Sequence, residues 1–355
     1  MSTYISGIGC ISPQKTIDNS VFPAEAVNQN ALFLQCIQPE SYRDYINPIL
    51  SRRLSKIIKM GITSALISIK DAGISNPGAI ITGTGLGCVE DTEKFLMTML
   101  DNNETLMNPT NFMQSTYNTI SSQIAIILKC FNYNSTYVHR GFSFESALTD
   151  AIDLMQSTVA ESALVGGIDE ITENHFNVTS LLGHWRTKPQ NNLELFEHKQ
   201  KGTLPGEGSV FFTLTRNKQA STYCELKGIK TVYKPATMDV VAGSICALLA
   251  ENKLTAHNID LIITGMNGDQ QGDAVYDEIC QTMFDTKAVA GFKNLCGEYH
   301  TASAFGLWLA ANILKWQEVP KISIYKGFRP NTIQNILLHN HVEGKQHSIM
   351  LLSKV

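Results

Sequence analysis

The sequence predicts an α/β fold made of two copies of one unit, and three observations carry that reading. Two apolar strands end in nearly the same words, Ala79-Ile80-Ile81-Thr82-Gly83-Thr84-Gly85 and Leu261-Ile262-Ile263-Thr264-Gly265-Met266-Asn267-Gly268, about half a chain apart. Each follows an amphipathic helical pattern, over 54–72 and 238–252. Each precedes a helix rich in small residues, over 143–159 and 301–316, so the halves repeat.

Taken in order, Tyr4-Ile5-Ser6-Gly7-Ile8-Gly9 reads as a buried first strand, echoed at Tyr223-Cys224-Glu225-Leu226-Lys227-Gly228-Ile229. A polar connector over 217–221 separates the copies. The predicted halves are 1–218 and 219–355, packed as one compact domain. The stretch 187–208 is polar, carries Gly and Pro, and reads as a surface loop leading into a strand. The longest apolar tract, Ala302 to Leu314, is shorter than the ~18–20 residues of a membrane span. Ser303 and Asn312 interrupt it, so it reads as a central core helix.

Lys and Arg total 28 against 32 Asp and Glu, which leaves no basic footprint for nucleic acid. No charged start precedes an apolar run, so a cytoplasmic chain with no membrane segment is expected. Eight cysteines form no C-x-x-C pair and no zinc spacing, so no metal is expected. Most, including Cys130 and Cys246, sit in apolar runs and read as buried, inert thiols.

The chemistry-bearing stretch is Tyr137-Val138-His139-Arg140-Gly141-Phe142-Ser143, which runs from a strand-like segment into a helical one. A strand, an elbow and a buried helix can present a nucleophile, because free N–H groups at a helix start stabilise an anion. Here the elbow offers an aromatic ring and a hydroxyl.

Further landmarks follow along the chain: Gly83-Thr84-Gly85-Leu86-Gly87, Asn108-Pro109-Thr110-Asn111-Phe112 with Ser115-Thr116-Tyr117-Asn118, Val165-Gly166-Gly167, Gly206-Glu207-Gly208, Gly272-Asp273, and Lys293 with Gly297. In this order and spacing the chain resembles the β-ketoacyl synthase family of the thiolase fold. The resemblance implies a five-layered αβαβα arrangement that dimerises through strand pairing and a pocket-lining segment. Phe112, Met113 and Tyr117 would then line an acyl pocket at the dimer face, or serve as ordinary interface core.

Active members use a cysteine, which is nucleophilic near neutral pH, and two histidines that stabilise an enolate. Carried over by position, the cysteine falls at Phe142 or Ser143, and Gly141 offers no thiol either. The first histidine falls at Gly265, with Asn267 two residues on; the second falls at Glu298, a carboxylate that would repel an enolate. Lys293 is retained, with Asp277 or Glu278 as available partners. The family's gating glycine loop is replaced by Asn340-His341-Val342-Glu343-Gly344-Lys345.

Each sharper alternative has a blander one beside it. Ser143 reads as a helix cap before it reads as a nucleophile, and His300 as a packed residue before a displaced base. His139-Arg140 reads as half of an ion pair, with Glu145 or a partner's carboxylate, and Cys296 as an apolar filler. The expected function is that of a non-catalytic subunit similar to a chain-length factor. It would pair as a heterodimer with a catalytic β-ketoacyl synthase and work with an acyl carrier protein, needing no cofactor. Type II polyketide, aryl-polyene or fatty-acid-like chain elongation is the implied pathway class. The alternatives are an active synthase or acyltransferase using Ser143 with His300 or Glu298, and an acyl-binding scaffold.

Overall fold

The β-branched runs form eleven strands of one sheet in a computed structural model that describes residues 2–19, 25–105 and 109–355. Asn108 of the pocket-lining motif lies outside the described residues. In chain order the strands are β1 (Thr3–Ile11), β2 (Ala79–Gly83), β3 (Tyr133–Tyr137), β4 (Ser162–Asp169), β5 (Gly208–Thr215), β6 (Cys224–Tyr233), β7 (Leu261–Thr264), β8 (Ala288–Gly291), β9 (Ile324–Lys326), β10 (Asn335–Val342) and β11 (Gln346–Ser353). The main helices are α1 (Lys56–Ala72), α2 (Val89–Asp101), α3 (Pro109–Ser115), α4 (Thr119–Leu128), α5 (Ser143–Gln156), α6 (Met238–Glu251), α7 (Gln270–Met283) and α8 (Ser303–Trp316).

The sheet order is β9-β8-β7-β10-β11-β6-β1-β5-β4-β2-β3. Read outward from the centre, β1-β5-β4-β2-β3 and β6-β11-β10-β7-β8 have the same topology. In each, the last strand of the half, β5 or β11, runs antiparallel to both neighbours, and the other three pair in parallel. The halves join where Tyr4 of β1 pairs antiparallel with Glu225 of β6.

Period-2 alternation sorts each strand's side chains between layers. Ile81 and Val165 enter the central core, whereas Ile80 and Leu164 face α1 and α4 outside the first half. Likewise Ile263 and Leu338 face inward, whereas Ile262 and Leu337 meet α6 and α7. Between the two half-sheets lie α5 and α8; residues Ser303 to Leu314 of α8 are all buried. The result is five layers, αβαβα.

Two expectations change. The stretch 187–208 is no mere surface loop: Leu195, Leu204 and Glu207 are buried in it, because it crosses the mouth between the halves. Glu207 accepts hydrogen bonds from Cys36 N–H (3.0 Å), Ile171 N–H (3.2 Å) and Lys56 Nζ (2.8 Å), which explains the Gly206-Glu207-Gly208 motif as a structural tie. Cys246 is exposed on the outer face of α6; the other seven thiols are buried.

Candidate functional site

The elbow begins at the end of β3, turns through a short 3-10 segment at Arg140–Phe142, and enters α5 at Ser143. Phe142 is buried edge-on to His139 (5.7 Å between ring centres) and to Tyr233 (6.4 Å). Ser143 is fully buried. Its hydroxyl donates to the Arg140 carbonyl (2.7 Å) and accepts from the His139 N–H (2.8 Å). The single hydroxyl proton is therefore committed to a carbonyl. Ser143 locks the turn that precedes the helix and does not cap it; Phe142 occupies the cap position without a side-chain bond.

Gly141 lies beneath the β10–β11 hairpin. A β-carbon there would sit 2.6 Å from Val342 Cγ2 and 2.8 Å from Gln346 Oε1, so any side chain requires those two residues to shift. Arg140, expected in an ion pair, is exposed and makes none among the described residues, and Glu145 is not its partner. Glu145 instead points into the central layer, fully buried near Ser303 and Ser348, and burial pushes its carboxyl up to about 7.

Gly265 ends β7. Asn340 Oδ1 and the Tyr276 hydroxyl lie 2.1 Å and 2.6 Å from where its β-carbon would be, so neighbours fill the space of the expected imidazole. Two residues on, Asn267 Nδ2 donates to Glu298 Oε2 (2.6 Å), and Asp269 N–H binds Asn267 Oδ1 (3.0 Å). Lys293, with no solvent exposure, donates to the same Glu298 oxygen (2.6 Å). This corrects the partners expected for Lys293: Asp277 is held by Lys199 (2.8 Å), and Glu298 takes the lysine. The carboxylate at the position expected for the second histidine is thus bound by a buried lysine.

His300 packs its ring against Gly85, and makes no hydrogen bond to Ser143. Next to it, Thr301 donates through N–H (2.9 Å) and hydroxyl (2.8 Å) to Asp169 Oδ2. The other Asp169 oxygen accepts from Thr84 Oγ1 (3.1 Å) and Gly85 N–H (2.8 Å). One carboxylate therefore holds the first half's glycine motif to the start of the second half's core helix. Cys296 is fully buried, and burial raises its thiol well above the ordinary range, so it carries little thiolate. Among the described residues no group of three or more His, Cys, Asp or Glu side chains is placed to hold a metal ion. No described helix is long and apolar enough to cross a membrane.

The expected gating loop is a tight hairpin. Its ladder runs from Asn335↔Ser353 to Val342↔Gln346, and Glu343 and Gly344 make the turn with φ of 54° and 62°. Gln346 Nε2 reaches the His139 carbonyl (3.4 Å). Sequence reasoning missed the buried residues behind it: His339, His341, His347, Asn340 and Tyr276. The available signal was His339-x-His341 and His347 on the outward-facing register of otherwise apolar strands.

Phe112, Met113 and Tyr117 lie on the surface of the first half, at 55%, 59% and 49% exposure. Phe112 meets Phe95 of α2 (5.4 Å between ring centres), and Tyr117 packs on Gly87 of the glycine motif. Leu96, Met97 and Leu100 of α2 and Ile126 of α4 are exposed on neighbouring elements. Strand β3, an open edge of the sheet, lies beside α4.

Residues 6–220 match the β-ketoacyl synthase N-terminal domain. A β-ketoacyl synthase from Burkholderia phymatum STM815 superposes with a TM-score of 0.82 at 15% identity, covering 100% of this chain and 99% of that one. The ishigamide ketosynthase/chain length factor superposes at 0.80, with 17% identity and coverage of 100% and 99%. A ketosynthase in complex with its chain length factor, from Xenorhabdus doucetiae, superposes at 0.79, with 16% identity and coverage of 100% and 98%. Comparison with functionally curated proteins finds no match. With the domain match spanning more than half of the 355 residues, the chain belongs to the β-ketoacyl synthase family.

Proposed function

We propose that the chain is a non-catalytic, chain-length-factor-like subunit that pairs with a cysteine-bearing β-ketoacyl synthase and serves acyl-carrier-bound chain elongation. One observation carries this reading: all three reactive positions are occupied by groups that cannot do the chemistry. The elbow has Gly141 under a hairpin and a serine bound to its own turn. The position of the first histidine is filled from the side by Asn340 and Tyr276, and Glu298 at the second is bound to Lys293. Neither a thiolate nor an imidazole donor pair faces a shared reacting atom, which acyl transfer with enolate stabilisation requires.

The pairing surface is the open edge β3 with the exposed apolar residues of α2, α3 and α4. An unpaired strand edge offers main-chain hydrogen bonds to a second chain, and Phe112, Met113 and Tyr117 would reach toward the partner's acyl pocket. Two of the similar structures are a ketosynthase/chain length factor and a ketosynthase in complex with its chain length factor, which supports a pairing role. Polyketide, aryl-polyene or fatty-acid-like elongation is the pathway class consistent with it.

Co-expression with a cysteine-bearing synthase of the same family, followed by mass measurement in solution, tests the pairing. A one-to-one complex is expected. Enlarging Phe112 to Trp or trimming Met113 to Ala in that complex should change product length; unchanged products from an intact complex argue against the pocket role. Intact mass of the isolated chain after incubation with acyl-carrier thioesters should show no adduct. A stable acyl group on Ser143 would restore the acyltransferase reading.

A further inference from the structure

The outer face of the β10–β11 hairpin changes character along its length. Leu337, Ile349 and Leu351 join the apolar core under α6 and α7, but toward the turn the same register carries His339, His341 and His347, all buried. Their hydrogen bonds fix each proton. His347 Nε2 meets the Gly344 carbonyl (3.1 Å) and must donate, so its Nδ1 accepts from His339 Nε2 (3.2 Å). His341 Nε2 donates to the Gly272 carbonyl (2.9 Å), and its Nδ1 accepts from Gly344 N–H (3.1 Å). His341 also stacks on Tyr276 (4.5 Å), whose hydroxyl accepts from His341 N–H (2.8 Å).

The bonds that His341 and His347 accept at Nδ1 require neutral rings, whereas the bonds they donate from Nε2 would survive protonation. A protonated His341 has no lone pair for Gly344 N–H, and a protonated His347 forces His339 to move its own proton to Nδ1, away from this bond. The charges around the cluster give protonation little help. Lys293 opposes a charge on His341, Tyr276 of α7 is neutral, and Glu298, which lies near Tyr276, is engaged by Lys293. Glu343 at the turn is taken by Lys345 (2.8 Å), with His184 at 3.9 Å. Burial holds all three rings below the ordinary imidazole range, His341 at about 3.

The same hairpin presses Val342 and Gln346 onto Gly141 and tethers the His139 carbonyl through Gln346. We propose that the hairpin is an acid-releasable cover over the elbow, latched shut by three neutral histidines. Protonation breaks the turn's bonds, lifts Val342 and Gln346 from Gly141, and opens the elbow while the sheet core stays folded. This reading stands whether or not the chain pairs with a synthase.

Hydrogen exchange on the full chain tests it, followed by peptide at about pH 7.5 and about pH 5.5 and corrected for intrinsic rates. Opening of 339–347 should rise about tenfold for each histidine that takes a proton, the linkage expected of a ring with an unfolded pKa near 6.5. The amides of 139–143 should gain exchange with it, while β1 and β5 keep their protection. Unchanged hairpin exchange overturns the proposal. So does loss in step with β1 and β5, or an elbow that stays protected while the hairpin opens. His341→Gln and His347→Gln should each flatten the pH dependence, and an unaltered dependence also overturns it. Where a variant fails to fold, ring NMR of the parent chain decides: His339, His341 and His347 should stay neutral through pH 6, and free-imidazole titration of these rings sinks the latch.

Discussion

The two half-sheets share a topology, yet they end differently. The first half stops at β3, an open edge whose Tyr133 and Asn134 are exposed, beside helices studded with uncovered Phe112, Met113 and Ile126. The second half's equivalent strand, β8, is buried along its whole length, and β9 pairs antiparallel across its edge. An open edge is a liability unless something covers it; the chain spends a strand to close one and leaves the other bare. The packing follows the same division, because the first half keeps its glycine motif and elbow while in the second half Asn340 and Tyr276 crowd Gly265 and Lys293 binds Glu298. One half leaves its edge strand uncovered, and the other closes it.

The largest effect should come from breaking that closure at its ion pair. Glu298→Ala leaves Lys293 without its carboxylate partner and with no solvent exposure, and unfolding by denaturant should register a loss of about 3–5 kcal/mol. Next in size is a pH-dependent gain in the layer both halves share. The folded-state pKa of Glu145 is raised from 4.5 to about 7, so its contribution is fully present below the unfolded value and lost as pH rises through 7. Glu145→Gln should therefore stabilise the chain by about 3 kcal/mol at pH 8 and by close to nothing at pH 4, as parallel melts would show. Equal effects at both values would contradict the burial argument.

Restoring an imidazole with Gly265→His sharpens the contrast further. Its β-carbon collides with Asn340 and Tyr276, so about 1–3 kcal/mol of stability should be lost to overpacking, with no condensing activity gained. The smallest effect on stability belongs to the open edge. Asn134→Lys with Val138→Lys on and beside β3 should change unfolding by less than about 0.5 kcal/mol. The same pair should abolish co-purification with the synthase. A large loss of stability would mean that this edge already serves the fold of the single chain.

Much of the architecture was legible because it rests on repeated local patterns. The twin apolar strands announce β2 and β7, and the small-residue run from Ala302 fills the centre as α8. What escaped depended on contacts between distant segments. Lys293 could be read, but its bond to Glu298 across a turn lost out to Asp277, which lies on a helix and binds Lys199 instead. The segment before β5 looked polar enough for solvent, yet Glu207 is buried because Lys56 and two backbone N–H groups meet it. The three histidines were invisible for a related reason. Histidine at a buried outward register suits a core only when its ring nitrogens find partners, and those partners come from Gly272 in the first turn of α7 and from Gly344 in the hairpin turn.

Asp169 has a consequence for how such a chain can change. Its two oxygens grip opposite copies of the repeat, one at Thr84 and Gly85 and the other at Thr301. That grip involves none of the positions at 141–143, 265 or 298. Side chains at those positions could therefore change during descent without touching this tie between the two copies.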